Sequence, residues 1–233
     1  MSSDALEIFY SPLSDYFQKA MSDLIWSLDN FMKGAPNESI RRIYDSSRKS
    51  SRVKTKESLL RKCRSREIAT PDRIPEAIED LIGIRIVTPN KSEAEALFDF
   101  FRSNKDKWFC DVMAEPKFTP YTIAERNRWS MSTGYQAFHM AFVYIRSYRP
   151  GTEFDKWPVE IQITSQLWEF WASYSRKYFY TASGDMVQKL RPYMLTIAKA
   201  LDNAEDLIAT TVDILLAEEE HRASASEGGR AAK

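Results

Sequence analysis

The segment Pro158-Val159-Glu160-Ile161-Gln162-Ile163-Thr164 leaves little freedom in its local structure. Val159, Ile161 and Ile163 share one parity and Glu160, Gln162 and Thr164 the other, which makes a strand with an apolar back and a polar front. The aromatic run QLWEFWASYSRKYFY follows at once. Such a strand requires a hydrophobic layer beneath it, and its front offers a carboxylate to whatever lies above. Antiparallel sheets often carry a polar face merely because that face meets water, so Glu160 alone does not define a site. Two other stretches, DLIGIRIV (80–87) and GYQAFH (134–139), also read as strands or strand entrances bearing polar groups.

With 233 residues and 43% hydrophobic content, the chain can bury a core as one domain of catalytic size and still supply terminal helices. The formal charge sums to zero, so no global field points to nucleic acid or membrane. Locally the balance fails: residues 41–66 hold eleven Lys/Arg against Asp45 and Glu57, while residues 202–220 are acidic. Basic charge is therefore concentrated where phosphates can be held. The two cysteines, Cys63 and Cys110, are too few for a disulfide framework and lack metal-type spacing with histidine. They read as reduced thiols, Cys63 on a helix and Cys110 in a strand. No run approaches the roughly 18 apolar residues of a membrane span, and MSSDALEIFY lacks a basic segment followed by an apolar one. A cytoplasmic protein with no membrane partner is the expectation.

From residue 3 to 33, apolar positions recur at helical spacing, with Pro12 placed to break the helix in two and Gly34-Ala35-Pro36-Asn37 to end it. SSRKSSRVK is Ser-rich and basic and reads as a loop with an extended approach, on one side of which Arg52 and Lys54 sit. Thr55-Lys56-Glu57-Ser58 opens a helix in which Ser58 and Lys62 share a face. Arg and Lys beside a helix N-terminus suit phosphate, although an isolated charge run is more often a solvated face.

Pro71–Pro75 turns into a short helix that delivers Asp80 to the strand DLIGIRIV, where Gly83 and Arg85 share a face. Residues 91–103 form an amphipathic helix with Ala94, Leu97, Phe98 and Phe101 inward, and DKWFCDVMAEP reads as a strand. Strand, helix, strand implies a crossover and some parallel pairing. Residues 117–133, with Arg126 and Arg128, read as a long loop before the strand Tyr135–Arg146, and a long loop in a compact domain is usually functional. The helix from about Ser165 to Phe179 puts Leu167, Trp168, Trp171, Tyr174 and Tyr178 on an inward face. Residues 186–220 supply one or two more helices, and HRASASEGGRAAK has the composition of a disordered tail. The divisions expected are an N-terminal helical segment 1–44, a catalytic domain 45–182, C-terminal helices 183–220 and the tail 221–233.

Taken in order, these stretches resemble the synthetase domain of the RelA/SpoT family, in particular its short stand-alone members, the small alarmone synthetases. SRVKTKESLLRK is similar to the family's ATP-binding segment, DLIGIRIV to its metal-binding strand, GYQAFH to GYRSLH and VEIQITS to VEIQIRT. WEFWASYSRKYFY is similar to the helix that follows in the family. The resemblance implies an α+β, nucleotidyltransferase-like fold: a mixed sheet of about five strands flanked by helices, with helical extensions at both ends.

It also implies an activity, transfer of pyrophosphate from ATP to a ribose 3′-hydroxyl with release of AMP. Arg52, Lys54 and Lys62 would bind the ATP phosphates and adenine, with Ser58 and Arg85 in support. Asp80 would bind Mg²⁺, and Glu160 would complete the metal site or take the proton of the attacking hydroxyl, supported by Gln162. Tyr135 would stack on the acceptor base, and His139 would contact acceptor or donor phosphates. These residue types suit the chemistry on their own account, because phosphoryl transfer needs positioning and charge neutralisation more than covalent catalysis. None of the seven glycines falls in Walker-type spacing, so side chains must hold the phosphates.

The chain departs from the family's motifs at Gln136 and Thr164, where GYRSLH and VEIQIRT carry arginines, at Ala137 for serine, at Thr133 for a common asparagine, and at Ser175-Arg176 for Glu-His. Most departures fall toward the acceptor side. Three readings follow: an alarmone of the ppGpp type made from ATP and GDP or GTP; a toxin that pyrophosphorylates the tRNA 3′ end or an adenine nucleotide; or an inactive domain that binds nucleotide or RNA. A toxin implies a neutralising antitoxin, for which the C-terminal helices offer a surface, and the resemblance implies homo-oligomers. The histidines are His139 and His221, too few for the hydrolase that accompanies long family members.

Overall fold

The computed structural model describes residues 3–105, 107, 126–127, 136–146, 155–178 and 185–231. The expected strand at 106–116 with its Cys110, apart from the helical Lys107, lies outside the described residues, as do most of the loop 117–133 and Tyr135.

Helix α1 (Ser3–Tyr10) leads through a 3-10 turn holding Pro12 into α2 (Ser14–Lys33), then α3 (Glu38–Ser46), whose N-terminus is capped by Asn37. Strand β1 (Arg48–Val53) and helix α4 (Lys56–Ser65) follow. Next come α5 (Ile74–Ala77), β2 (Ile82–Thr88) and α6 (Lys91–Ser103). Short β3 (Arg126–Asn127), β4 (Phe138–Arg146), β5 (Asp155–Ser165), α7 (Gln166–Tyr178) and α8 (Asp185–Ala231) complete the described chain. Among the described residues no helix is long and apolar enough to cross a membrane.

Five strands form one mixed sheet in the order β1-β2-β5-β4-β3. β2 and β5 run parallel and every other neighbouring pair antiparallel. The α+β fold expected from sequence is therefore present, and the parallel pairing joins DLIGIRIV to VEIQITS. Ile82, Ile84 and Ile86 of β2, with Val159, Ile161 and Ile163 of β5, form the apolar back. Phe17, Leu24 and Leu28 of α2 cover it together with Leu97, Phe98 and Phe101 of α6. Each such side chain taken fully out of water stabilises the fold by about 1.5–3 kcal/mol, which is why the polar front can be left to chemistry.

Four expectations are corrected. The Ser-rich basic segment is not a loop: Arg48–Val53 is an edge strand whose six residues pair from Arg48 opposite Val87 to Val53 opposite Ile82. Its strand character comes from the neighbour it pairs with rather than from intrinsic propensity, and exposed Arg48 and Lys49 suit an edge. Within the expected loop 117–133, Arg126–Asn127 pair with β4. On α7, Trp168, Trp171, Ala172 and Ser175 face the fold, whereas Phe170, Tyr174 and Tyr178 stay exposed along a flank. The helical stripe was broader in sequence than the one α8 covers, since Met194 and Ala198 of α8 cluster with Trp168 and Trp171. Leu207 and Leu215 of α8 are exposed, and the helix runs through the segment 221–231, where composition suggests disorder.

Candidate active site

Register brings the polar residues of four strands onto one face in two rows. Arg52 of β1 lies opposite Gly83 of β2, which pairs with Glu160 of β5, itself opposite Ala141 of β4. One step along, Ser50, Arg85, Gln162 and His139 form the second row. Alternation puts both rows on the side away from the isoleucine layer.

Asp80 stands at the entrance to β2, in the first row's direction. Lys54 donates to its Oδ2 at 2.8 Å and Lys62 to its Oδ1 at 2.5 Å. Both lysines are set there by backbone. The Lys54 N–H bonds the Leu81 carbonyl at 2.8 Å, and Tyr10 of α1 donates to the Lys54 carbonyl at 2.8 Å. Lys62 lies on α4, whose first turn is fixed by Thr55 accepting the Ser58 N–H at 3.3 Å. Burial alone would raise the Asp80 pKa, but the hydrogen bonds and charges of Lys54 and Lys62 together hold it below its ordinary value. Lys54 is 8% and Asp80 17% exposed at the side chain, so this ion pair is weakly screened.

A second network crosses the strands. Arg85 donates to Gln162 Oε1 at 2.6 and 3.1 Å and to the two Glu169 oxygens at 2.8 and 3.0 Å. Gln162 in turn donates to Glu160 Oε2 at 2.7 Å, and His139 Nδ1 lies 2.8 Å from Glu160 Oε1. Burial pushes the Glu160 pKa up and the Asp80 charge adds to that, yet His139 and Gln162 outweigh both and keep it low. Both carboxylates are thus held ionised close enough to repel.

Of the residues expected from sequence, Asp80, Lys54 and Lys62 form one cluster, and Arg85, Gln162, Glu160 and His139 form the other. Arg52 is exposed and its side chain runs past Gly83, where a Cβ would stand 3.7 Å from Arg52 Cγ. Ser58 is half-buried one helical turn before Lys62. Lys54 and Lys62, expected on phosphates, both bond Asp80. Glu169, which grips Arg85, was missed. The only signal was an acid in the first turn of a helix, which the helix dipole also explains.

Among the described residues no group of three or more His, Cys, Asp or Glu could hold a metal ion. Two mutually repelling carboxylates still suit Mg²⁺, which binds protein through one or two carboxylates and takes its other ligands from water and substrate phosphates.

The family model described as "Region found in RelA / SpoT proteins" matches residues 51–185. No curated protein matches the chain by sequence. Among solved structures, small alarmone synthetase 1 from Bacillus subtilis aligns with a TM-score of 0.62 at 21% identity, over 91% of this chain and 98% of that one. The same enzyme bound to its product pppGpp aligns at 0.60 and 19%, over 90% and 97%. A GTP pyrophosphokinase family protein from Streptococcus pneumoniae aligns at 0.59 and 17%, over 90% and 93%. At these identities the likeness speaks to the fold.

Proposed function

The chain belongs to the RelA/SpoT family of nucleotide pyrophosphokinases, and from that premise we propose that it moves the β,γ-diphosphate of ATP onto the ribose 3′-hydroxyl of GDP or GTP, releasing AMP. The observation that carries this reading is the single polar face on which the Lys54–Asp80–Lys62 cluster adjoins the Arg85–Gln162–Glu160–His139 network. Small alarmone synthetase 1, bound to pppGpp, supports a guanine acceptor by analogy.

Arg52, Lys54 and Lys62 bind the triphosphate, with Ser58 beside them at the start of α4 and Arg85 steadied behind. A phosphate arriving at the lysines competes with Asp80 and frees its oxygens. Asp80 and Glu160 hold Mg²⁺, which when bound supplies charge neutralisation at the phosphates. Gln162 and His139 keep Glu160 ionised and oriented, and a carboxylate with a depressed pKa is better suited to a cation than to taking a proton. In the transfer the 3′-oxygen bonds the β-phosphorus, the bond from that phosphorus to the α,β-bridging oxygen breaks so that AMP leaves, and the hydroxyl proton passes to water. Tyr135 stacks on the acceptor base.

Gly83 offers a test of where the nucleotide lies. The nearest atoms a methyl group there would meet are those of the Arg52 side chain at 3.7 and 3.8 Å and the Arg52 carbonyl at 3.9 Å, all ordinary contacts. Gly83→Ala is therefore expected to keep or slightly raise stability, while raising the KM for ATP about tenfold because the methyl occupies the floor between Arg52 and Glu160. Thermal unfolding and steady-state kinetics check the two halves; an unchanged KM places the nucleotide elsewhere.

One observation favours a second acceptor. Gln136 and Thr164 stand where the family's motifs carry arginines, and they adjoin, Thr164 Oγ1 donating to the Gln136 carbonyl at 3.3 Å. Two positive charges are missing together, which suits an acceptor with less charge near its ribose, such as a tRNA 3′ end; in that case an antitoxin partner follows. AMP release from ATP, measured with GDP, GTP, an adenine nucleotide or deacylated tRNA added singly, separates the readings. Stimulation by guanine nucleotides supports the first, stimulation by tRNA alone supports the second, and no AMP with any acceptor overturns both.

A further inference from the structure

The long helix α8 reaches the catalytic layer at one turn. Glu205 on that turn is fully buried, and an ionisable side chain in that position persists only with partners. Its Oε2 accepts the backbone N–H of Lys91, the first residue of α6, at 2.8 Å. Its Oε1 accepts the hydroxyl of Ser165, the last residue of β5. The same Ser165 oxygen accepts the Trp168 N–H at 3.2 Å and so caps α7. At the rim of this turn Lys91 Nζ bonds Asp202 at 2.9 Å and lies 3.5 Å from Asp206. One carboxylate thus joins the start of α6, the end of β5, the cap of α7 and the body of α8.

From this junction to the active face the path is short. Glu169 lies in the first turns of α7, just past the Ser165 cap, and holds Arg85 by both its oxygens. Arg85 fixes Gln162, and Gln162 fixes Glu160. We infer that Glu205 is a positioning residue for pyrophosphate transfer: by directing the Ser165 hydroxyl it sets where α7 begins, and with it how Glu169 presents Arg85 and Gln162 to Glu160. A hydroxyl has one proton, and giving it to Glu205 keeps the lone pair that caps Trp168. Without the carboxylate, the Ser165 hydroxyl and the Lys91 N–H become donors with no buried acceptor, and the cap loses its orientation. The inference rests on the pyrophosphokinase reading of the site.

Tested on the full chain, Glu205→Ala is expected to lower kcat about tenfold with the KM for ATP within about twofold, since small displacements of a positioning group fall mainly on the chemical step. Glu205→Gln keeps an acceptor oxygen and is expected to recover to within about threefold of the parent. Ser165→Ala should resemble Glu205→Ala, and the double variant should be no worse than the poorer single, because both break one path. Asp202→Ala removes a rim contact from the same turn and is expected to leave kcat unchanged, which separates docking of α8 from the cap. Rates are taken per folded molecule, well below each variant's melting temperature.

Amide exchange supplies a readout that needs no turnover. Glu205→Ala should accelerate exchange across residues 166–171, and Asp202→Ala should not. If the parent chain transfers nothing, the pyrophosphokinase reading fails and the exchange result alone decides whether Glu205 holds α7. Unchanged exchange in α7, or parental kcat in Glu205→Ala, overturns the inference.

Discussion

Glu160→Gln is expected to abolish pyrophosphate transfer, lowering kcat by about 10³-fold, at the upper end of what one charge-stabilising group contributes. The substitution changes charge with little change in shape. Glu160 is 8% exposed and sits between His139 and Gln162, so its glutamine replacement fills the same space and keeps polar neighbours. What disappears is one of the two carboxylates that the proposed Mg²⁺ site requires. Asp80→Asn should act similarly. Circular dichroism and thermal unfolding are expected to show a folded Glu160→Gln chain; transfer within tenfold of the parent would remove Glu160 from the catalytic machinery.

Lys54→Met is expected to harm stability as well as activity. Breaking a buried ion pair costs about 3–5 kcal/mol when one partner is left bare, but Asp80 keeps Lys62, and about 2–3 kcal/mol is the expected loss at neutral pH. The pH dependence fixes the cause. Asp80 is held below its ordinary value of 3.8, so the pair's stabilisation is fully present above that value and is lost as pH falls through the lower value of the folded chain. Urea midpoints of parent and variant should therefore differ most at neutral pH and converge in acid. A difference that persists unchanged in acid would attribute the loss to packing of the lysine stem instead.

How much of this was legible depended on distance along the chain. The period of two in Val159–Thr164 and the helical period in 91–103 are local properties, and β5 and α6 appear where those periods place them, with Ala94, Leu97, Phe98 and Phe101 all buried. The carboxylates and lysines were legible because a motif fixes their types. Their partners were not. Arg85 meets Glu169 across 84 positions of sequence and Glu205 meets Lys91 across 114, separations at which no pattern within a window carries information. Strand β1 was hidden for a related reason, since RKSSRV becomes a strand only against β2. Tyr174 and Tyr178 fit an inward stripe by spacing alone, and which side of α7 is covered is decided by α8.

The most direct test follows the group that moves. Purified chain is incubated with Mg²⁺, GDP or GTP, and ATP labelled on its γ-phosphate, and the products are separated and degraded to locate the label. Label on the 3′-diphosphate of a guanine nucleotide, with one AMP formed for each label transferred, is the predicted result. Label released as free phosphate or pyrophosphate, or ATP left intact with every acceptor, would contradict it.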